Sequence, residues 1–372
     1  MTYSPKTLLI AGFSTRHVAA SAHRSGYTVY AVDHFCDSDL CFYVKDAEIF
    51  LDHTDLPFAI DFACKKWDID GILVTSGAES ITVDTIPVLG SSAECAAKFC
   101  DKQQIQYFFE KYDIPSPKQI DPASIEPDKQ YLLKPLEGAG GWRNRVIKSQ
   151  NDIDEWVKEF QAPFILQEYV SGIPASVCCV TTGKEARAIA LNAQLMRDDP
   201  LTPFGFCGSY TPFIHSCSEQ MIQLAEKIAL ATGCIGIIGI DFIVGDGIWA
   251  IEVNPRFQAT LETVERATGI NLVQAHIDAC NGIISASIPL SPTYQKTCIR
   301  RILFANKHMT WPTSSEASSL GTDLIRFSDI PHPGTTFEPG NAVISMYGTG
   351  TDLATAEQDL HTSITTVLQY VQ

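Results

Sequence analysis

The sequence predicts an α/β fold, α+β when the whole chain is counted, and three observations predict it. Strand-like and helix-like segments alternate through the first hundred residues. A strand ending in lysine then runs into a glycine-rich turn, "KPLEGAGG". Further on, "GIDFIVGDGIWAIEVNPR" reads as an apolar hairpin with charged groups inside both arms. Alternating strands and helices imply a parallel sheet covered by helices on its faces.

In chain order, "TLLIAGF" is a buried strand, Arg16 to Ser25 a helix, "YTVYAVD" a second strand and "DGILVTSG" a further one. Ligands of such sheets gather beyond the carboxyl ends of the strands, here near Gly12–Arg16, Asp33 and Ser76–Glu79. The first turn, "AGFSTRH", has one glycine where a dinucleotide fingerprint needs three, which argues against an NAD or FAD enzyme. A helix, "CDKQQIQYFFEKYDIPSP", ends at its Ile-Pro-Ser-Pro run, and a boundary is placed there. "QYLLKPL" and "RVIKS" are strands around the glycine turn, and Asn151 or Asp152 caps the helix that follows. "FILQEYV", "PASVCCVTT" and "EARAIALNAQLM" are three more strands. Ser216-x-x-Glu219 reads as a capping box opening a helix that runs to Gly233. After the hairpin, Asn271 to Gly282 is helical, strands return from about Thr297, and Asp352 to Tyr370 closes the chain as an amphipathic helix.

Composition narrows the function. The chain has 372 residues, enough for two or three domains, and a formal net charge of -16. That charge disfavours general binding to nucleic acid or to an anionic membrane. The best apolar stretch, Cys234 to Val253, contains Asp241, Asp246 and Glu252, so no membrane span is expected. Met1 to Ala11 lacks a basic segment followed by a long apolar run, so no secretory signal is expected. The twelve cysteines form no Cys-x-x-Cys pair, and reduced, mostly buried thiols in a cytoplasmic setting are expected.

The hairpin carries the sharpest chemistry. Asp246 sits in its Gly-Asp-Gly turn, Asp241 lies five residues before it and Glu252 six after. Across a hairpin these two face each other, and Glu252 shares a strand face with Asn254. Carboxylates in an apolar setting need compensation by a cation. Hard oxygen donors suit magnesium or manganese, especially with phosphate oxygens completing the shell. Arg256 is placed to reach the same anion. A hairpin with plain surface carboxylates is the competing reading. The lysine and glycine loop supplies a cation and backbone N–H groups for phosphate, although glycine-rich turns are common by themselves. Arg16 and the Arg300–Arg301 pair suit a substrate carboxylate, but helix capping or surface pairing explains them as well. His17, His34, His215 and His276 fit structural or surface positions better than catalytic ones.

Taken in order, the lysine and glycine loop, Gln-Glu-Tyr-Val, then Asp…Glu-x-Asn-Pro-Arg resemble the ATP-grasp superfamily, over roughly Leu8 to Tyr347. "NPRFQATLETVERATGINLVQAHIDACNG" is most similar to the branch described as predicted ATP-dependent carboligases, and the closing strands resemble biotin-carboxylase-like members. The resemblance implies a Rossmann-like pre-grasp domain over 1–100 and a grasp domain over 101–290. The latter would have a small subdomain at about 115–170 and a large one at about 171–290, followed by a C-terminal β-rich segment over 291–372. It also implies that Lys102 and Lys134 hold ATP phosphates under a flap of Gly138, Gly140 and Gly141. Glu168, Tyr169 and Val170 would meet the adenine. Asp241, Glu252 and Asn254 would bind Mg2+ (or Mn2+), and Arg256 would stabilise the transferring phosphoryl or acyl-phosphate oxygens. Three departures stand out: Pro174 replaces a ribose-contacting glutamate, Ser92 replaces a lysine, and Trp142 and Arg143 follow Gly141 where more glycines are usual. A stiffer flap follows from the last.

The implied activity is an ATP- and magnesium-dependent ligase that activates a carboxylate as an acyl phosphate for an amine. Its partners would be small-molecule carboxylate and amine substrates, and a homodimer stays open. No biotin-attachment segment is seen, so biotin carboxylation is not expected. A small-molecule kinase of the same fold and a non-catalytic ATP sensor are the alternatives.

Overall fold

Strand β1 (Thr7–Ala11) is apolar at every buried position because both its faces are covered. The computed structural model of the chain describes residues 4–138, 140–199, 202–313, 320 and 323–370. Leu8 and Ile10 enter a core shared with helix α1 (Arg16–Arg24) and with Phe257, Leu261, Leu272 and Val273. Leu9 and Ala11 enter a second core against helix α2 (Leu56–Lys66), through Ile60 and Ala63. With β2 (Thr28–Asp33), β3 (Ala47–Ile49) and β4 (Gly71–Val74), β1 forms a parallel sheet of order β3-β2-β1-β4. The short edge strand β3 was not legible from its pattern.

Two helices lead out of this unit, α3 (Ala93–Ala97) and α4 (Lys102–Lys111). Ser92, at the position where a lysine would be usual, caps α3 by accepting from Cys95 N at 3.2 Å. A three-stranded antiparallel sheet follows, order β6-β5-β7, from β5 (Tyr131–Pro135), β6 (Arg145–Ile147) and β7 (Phe164–Glu168), with α5 (Gln150–Phe160) against it. The cap of α5 is Ser149 rather than Asn151 or Asp152. Asp152 is the third helical residue and reaches back to Ser149 N at 2.9 Å, completing a capping box.

The remaining strands build one eight-stranded sheet of order β12-β11-β8-β9-β10-β13-β17-β15. Its members are β8 (Ile173–Thr181), β9 (Ala186–Met196), β10 (Phe206–Thr211), β11 (Gly236–Val244), β12 (Ile248–Asn254), β13 (Thr297–Phe304), β15 (Phe327–Ser328) and β17 (Ala342–Gly350). A separate pair joins β14 (Met309–Thr310) to β16 (Thr336–Phe337). Because β10 pairs with β13, the sheet runs unbroken past residue 291, where the sequence suggested a boundary. Helix α6 (Ser218–Thr232) starts one residue later than its apparent box implies: its N-cap is Cys217, not Ser216, and Ser218 Oγ accepts from His215 N at 3.0 Å. It ends at Gly233 in the left-handed conformation, φ 69°. Helices α7 (Leu261–Thr268), α8 (Leu272–Cys280) and α9 (Leu353–Leu368) complete the order. Among the described residues no helix is long and apolar enough to cross a membrane. All twelve cysteines are free.

A buried ion network joins distant parts of the chain. Arg16, 2 % exposed, donates from Nε to Asp329 at 3.0 Å, clasps both oxygens of Glu262, and lies 3.5 Å from Asp39. Glu262 also accepts from the Tyr347 hydroxyl, and Arg300 reaches Asp329 at 2.9 Å. Burial opposes the Glu262 charge, but Arg16 outweighs it and holds this carboxyl well below the usual range. Removing Arg16 would leave three carboxylates buried near one another. Arg16→Leu should therefore destabilise the protein by about 3–5 kcal/mol. Urea denaturation followed by circular dichroism checks this; a loss under 1 kcal/mol would contradict the network's role.

Candidate functional site

The site forms where the β11–β12 hairpin faces the three-stranded sheet. On β11, Ile238, Ile240, Phe242 and Val244 point into the core against α6, so Gly239 and Asp241 point the other way. On β12, Ile248 and Ala250 point into that same core. By strict alternation Glu252 would follow them inside. It does not, because the register shifts: Phe242 pairs with Ala250, whereas Asp241 pairs with Glu252, leaving Ile251 as an extra residue. This bulge reverses the face of everything after it, so Val253 is buried while Glu252 and Asn254 join Asp241. The count of five residues on one side of the turn and six on the other is that bulge.

Asp241 is 8 % exposed and held on all sides. Its Oδ1 accepts from Gln194 Nε2 at 3.1 Å and Gln258 Nε2 at 3.0 Å, and its Oδ2 from Asn254 Nδ2 at 3.1 Å. Burial, then the like charge of Glu252, raise its carboxyl to about 7, against the pull of Arg256. Asn254 Oδ1 in turn accepts from Arg256 Nη2 at 3.1 Å. Arg256 Nε donates to Glu79 Oε1 at 2.7 Å, and Glu79 is steadied by Gly77 N at 2.7 Å. The carboxyl edge of the N-terminal sheet, where the sequence places ligands, therefore closes directly onto the hairpin.

Opposite lies Lys134 on β5, 7 % exposed. Burial lowers its ammonium to about 8; Glu252 opposes that shift and Lys102 adds to it. The three charges thus share one cleft. Lys102, at the start of α4, donates from Nζ to Gly138 O at 2.8 Å and ties helix to flap. Gly138 and Gly140 have open space around them, at φ 117° and 68°. Gly141 is pinned instead: at φ 73°, a Cβ there would lie 1.9 Å from Phe204 O. Beyond it, the Arg143 guanidinium stacks 4.3 Å over the Trp142 ring, and Trp156 Nε1 donates to Arg143 O at 2.8 Å. The flap is anchored at this end, in keeping with a stiff turn. Glu168 accepts from Lys118 N at 3.0 Å, and with half-buried Tyr169 it lines a cavity of about 710 Å³ beside Gln119 and Tyr131. Val170 follows, also half-buried.

Other expected contacts fall elsewhere. Arg16 and Arg300 are locked in the buried network, and Arg301, on the other face of β13, donates to Cys207 Sγ at 3.5 Å. Substrate contact by Arg16 and Arg300 gives way to a structural role, since their charges are already matched by Glu262 and Asp329. Asp33 accepts from Thr15, Phe35 and Cys36 and shapes its own loop. Burial lowers His17 and His276 to about 4, and His276 bonds Ile237 N and Leu89 O. Two residues of the site were missed, Gln194 and Gln258, while Glu79 lies at the Ser76–Glu79 strand end where the sequence places ligands. For Gln258 a signal existed, because Glu252, Asn254, Arg256 and Gln258 recur at every second position.

The donor set fits a hard divalent cation. Two carboxylates and an amide share one face, and burial of Asp241 beside the like charge of Glu252 disfavours its ionisation unless positive charge enters. Among the described residues no group of three His, Cys, Asp or Glu side chains gathers, so phosphate oxygens would have to complete such a shell. Asp241 makes the cost visible in the protein alone. Its proton is bound more tightly in the folded state than in the unfolded, so its contribution is full below about pH 4 and is lost as pH rises through about 7. The melting point of Asp241→Asn relative to the original should therefore rise between pH 5 and pH 8, by a few degrees. A difference that stays flat across that range, in scanning calorimetry without nucleotide, would contradict it.

Comparison with known proteins follows the same lines. Residues 99–260 match the family model described as an ATP-grasp domain. An uncharacterized protein of Methanocaldococcus jannaschii is 26% identical over 361 residues, covering 91% of this chain and 87% of its own. A tyramine–L-glutamate ligase of Methanocaldococcus fervens is 28% identical over 218 residues, 58% of this chain and 66% of that ligase. Among solved structures, the biotin carboxylase of Campylobacter jejuni superposes with a TM-score of 0.74 at 15% identity, covering 99% of this chain and 92% of the other.

Proposed function

We propose, from the premise that this chain belongs to the ATP-grasp superfamily through its domain at 99–260, that it is an ADP-forming carboxylate–amine ligase. The observation that carries the reading is the bulged hairpin, which turns Asp241, Glu252 and Asn254 onto one face with Arg256 beside them and Lys134 opposite.

In this reading a substrate carboxylate oxygen attacks the γ-phosphorus of ATP, the bond to the β-phosphate bridging oxygen breaks, and ADP leaves. The amine nitrogen then attacks the acyl phosphate carbon, a C–N bond forms, phosphate departs and the amine proton passes to solvent. Such transfer depends on position and charge more than on covalent help from the protein. Lys134 and Lys102 neutralise the phosphates while Gly138, Gly140 and Gly141 cover them. Glu168, Tyr169 and Val170 bound the adenine. Asp241, Glu252 and Asn254 would hold Mg2+ or Mn2+, which when bound screens the charge between the phosphate oxygens. Arg256, kept in line by Glu79 and Asn254, faces the oxygens of the transferred group. The tyramine–L-glutamate ligase among the relatives favours an amine acceptor, and so an amide product, over simple phosphorylation or ATP sensing.

A screen of carboxylate and amine pools for ADP release tests the reaction, with hydroxylamine added to trap the acyl phosphate as a hydroxamate. Hydroxamate should form only with ATP, a divalent cation and the right acid. A stable phosphorylated product without amine dependence would favour a kinase, and no ADP with any pool would favour a sensor. Glu252→Gln should lower turnover by on the order of 100-fold or more, the fold remaining intact, because a metal contributes several kcal/mol to charge stabilisation. Unchanged turnover would remove Glu252 from the site.

Lys134 gives a pH signature. Below about 8 it is charged in the free protein, and above that it is increasingly neutral. Phosphate binding favours the charged form, so ATP binding near pH 8.5 should take up protons. Calorimetry in two buffers of different ionisation enthalpy should reveal that uptake, and Lys134→Met should abolish it. Equal uptake in both proteins would place the titrating group elsewhere.

A further inference from the structure

We infer that Gln258, seated in a notch at Gly239, is the positioning residue that aims the Asp241 carboxylate at the divalent cation. The inference rests on the cation site proposed above and goes beyond it, to a side chain that does not itself face the cation.

Gln258 is 8 % exposed, and its two amide atoms are treated very differently. Nε2 donates to Asp241 Oδ1 at 3.0 Å. Oε1 is buried and has no hydrogen-bond partner among the described residues. An amide that served packing alone would be replaced at a gain by an apolar side chain of the same size, because a buried carbonyl without a partner destabilises the fold. The sequence keeps it nonetheless.

Gly239 carries a second cost for the same contact. It lies inside β11, opposite Asn254, where a glycine weakens a strand. Its φ lies outside the left-handed region that would call for glycine, so the residue is needed for room. A Cβ at 239 would stand 1.7 Å from Gln258 Cδ, 2.0 Å from Nε2 and 2.1 Å from Oε1. The amide group of Gln258 thus occupies the space that a side chain at 239 would take. Two unfavourable choices, a strand glycine and an orphaned carbonyl, thus converge on one hydrogen bond to Asp241 Oδ1. Gln194 Nε2 reaches the same oxygen, and Asn254 takes Oδ2, so the carboxylate plane is fixed from three directions. Partners of this kind orient metal ligands, and losing one typically weakens metal binding by about 10–100-fold.

The test is Mn2+ binding in the presence of ADP, followed by electron paramagnetic resonance, together with the melting point of the nucleotide-free protein. For Gln258→Met, which keeps the volume and removes both polar atoms, Mn2+ affinity should fall by about 10–100-fold while the melting point holds or rises. A packing role predicts the reverse, a lower melting point with unchanged Mn2+ affinity, and that result would overturn the inference. Gly239→Ala provides a second route. Alone it should weaken Mn2+ binding by displacing the amide; in a Gln258→Ala background the same change should have no further effect. Equal losses in both backgrounds would mean that the notch does not act through Gln258. If the unaltered protein binds no Mn2+ with ADP, the cation site itself falls and this role with it, an outcome distinct from a variant-specific change.

Discussion

Ile251 has no partner across the hairpin, and the candidate site depends on that single unpaired residue. Side chains alternate faces along a strand, so a register change of one residue transfers all later side chains to the opposite face. Upstream of the bulge, β12 gives Ile248 and Ala250 to the core; downstream it gives Val253. The same strand can therefore be apolar inside and polar in the cleft without burying an unpaired carboxylate. An unbulged hairpin would press Glu252 into the core beneath α6, where nothing compensates it. Bulges commonly re-aim side chains beside functional sites, and this one sets the relative placement of Asp241, Glu252, Asn254 and, further along, Arg256 and Gln258.

The second requirement is that three regions of the chain behave as one body around that hairpin. The N-terminal sheet contributes Leu8 and Ile10 to a core with Phe257, Leu261 and Leu272, and Glu79 to the Arg256 guanidinium. Arg16 joins α1 to α7 and to the loop after β15. The eight-stranded sheet carries β11 and β12 at one edge and the C-terminal strands at the other. By contrast, Gly138 and Gly140 are left in open space. The turn that would cover phosphates thus has room around two of its glycines, while Asp241, Asn254 and Arg256 are held by hydrogen bonds.

Much of this was legible in the sequence where the controlling contacts are local. The apolar runs in "TLLIAGF" and "YTVYAVD" report burial directly, and the hairpin's polar groups could be placed by counting from Asp246. The fold and the match of residues 99–260 to an ATP-grasp domain were foreshadowed by the order of the lysine and glycine loop, the Gln-Glu-Tyr-Val strand and the Glu-x-Asn-Pro-Arg segment. The limits appear where partners are remote. Arg16 meets Glu262 across 246 positions and Asp329 across 313, so nothing in "STRHVAA" distinguishes a buried hub from a substrate contact. Arg300 is the same case. Capping residues were misjudged by one to three positions at α5 and α6, since Ser149 competes with Asn151 and Asp152, and Cys217, the N-cap of α6, lies between two serines. The three-residue β3 is too short to show a pattern, and β10, "FCGSYT", mixes glycine and hydroxyl residues into its buried positions.

The proposed function assigns the cation that accompanies ATP to the face made by Asp241, Glu252 and Asn254. Anomalous diffraction from crystals grown with Mn2+ and a non-hydrolysable ATP analogue tests it most directly. A manganese peak is expected at roughly 2.0–2.3 Å from oxygens of Asp241 and Glu252, with the analogue's phosphates on its other side toward Lys134. Analogue bound with manganese away from both carboxylates would contradict it.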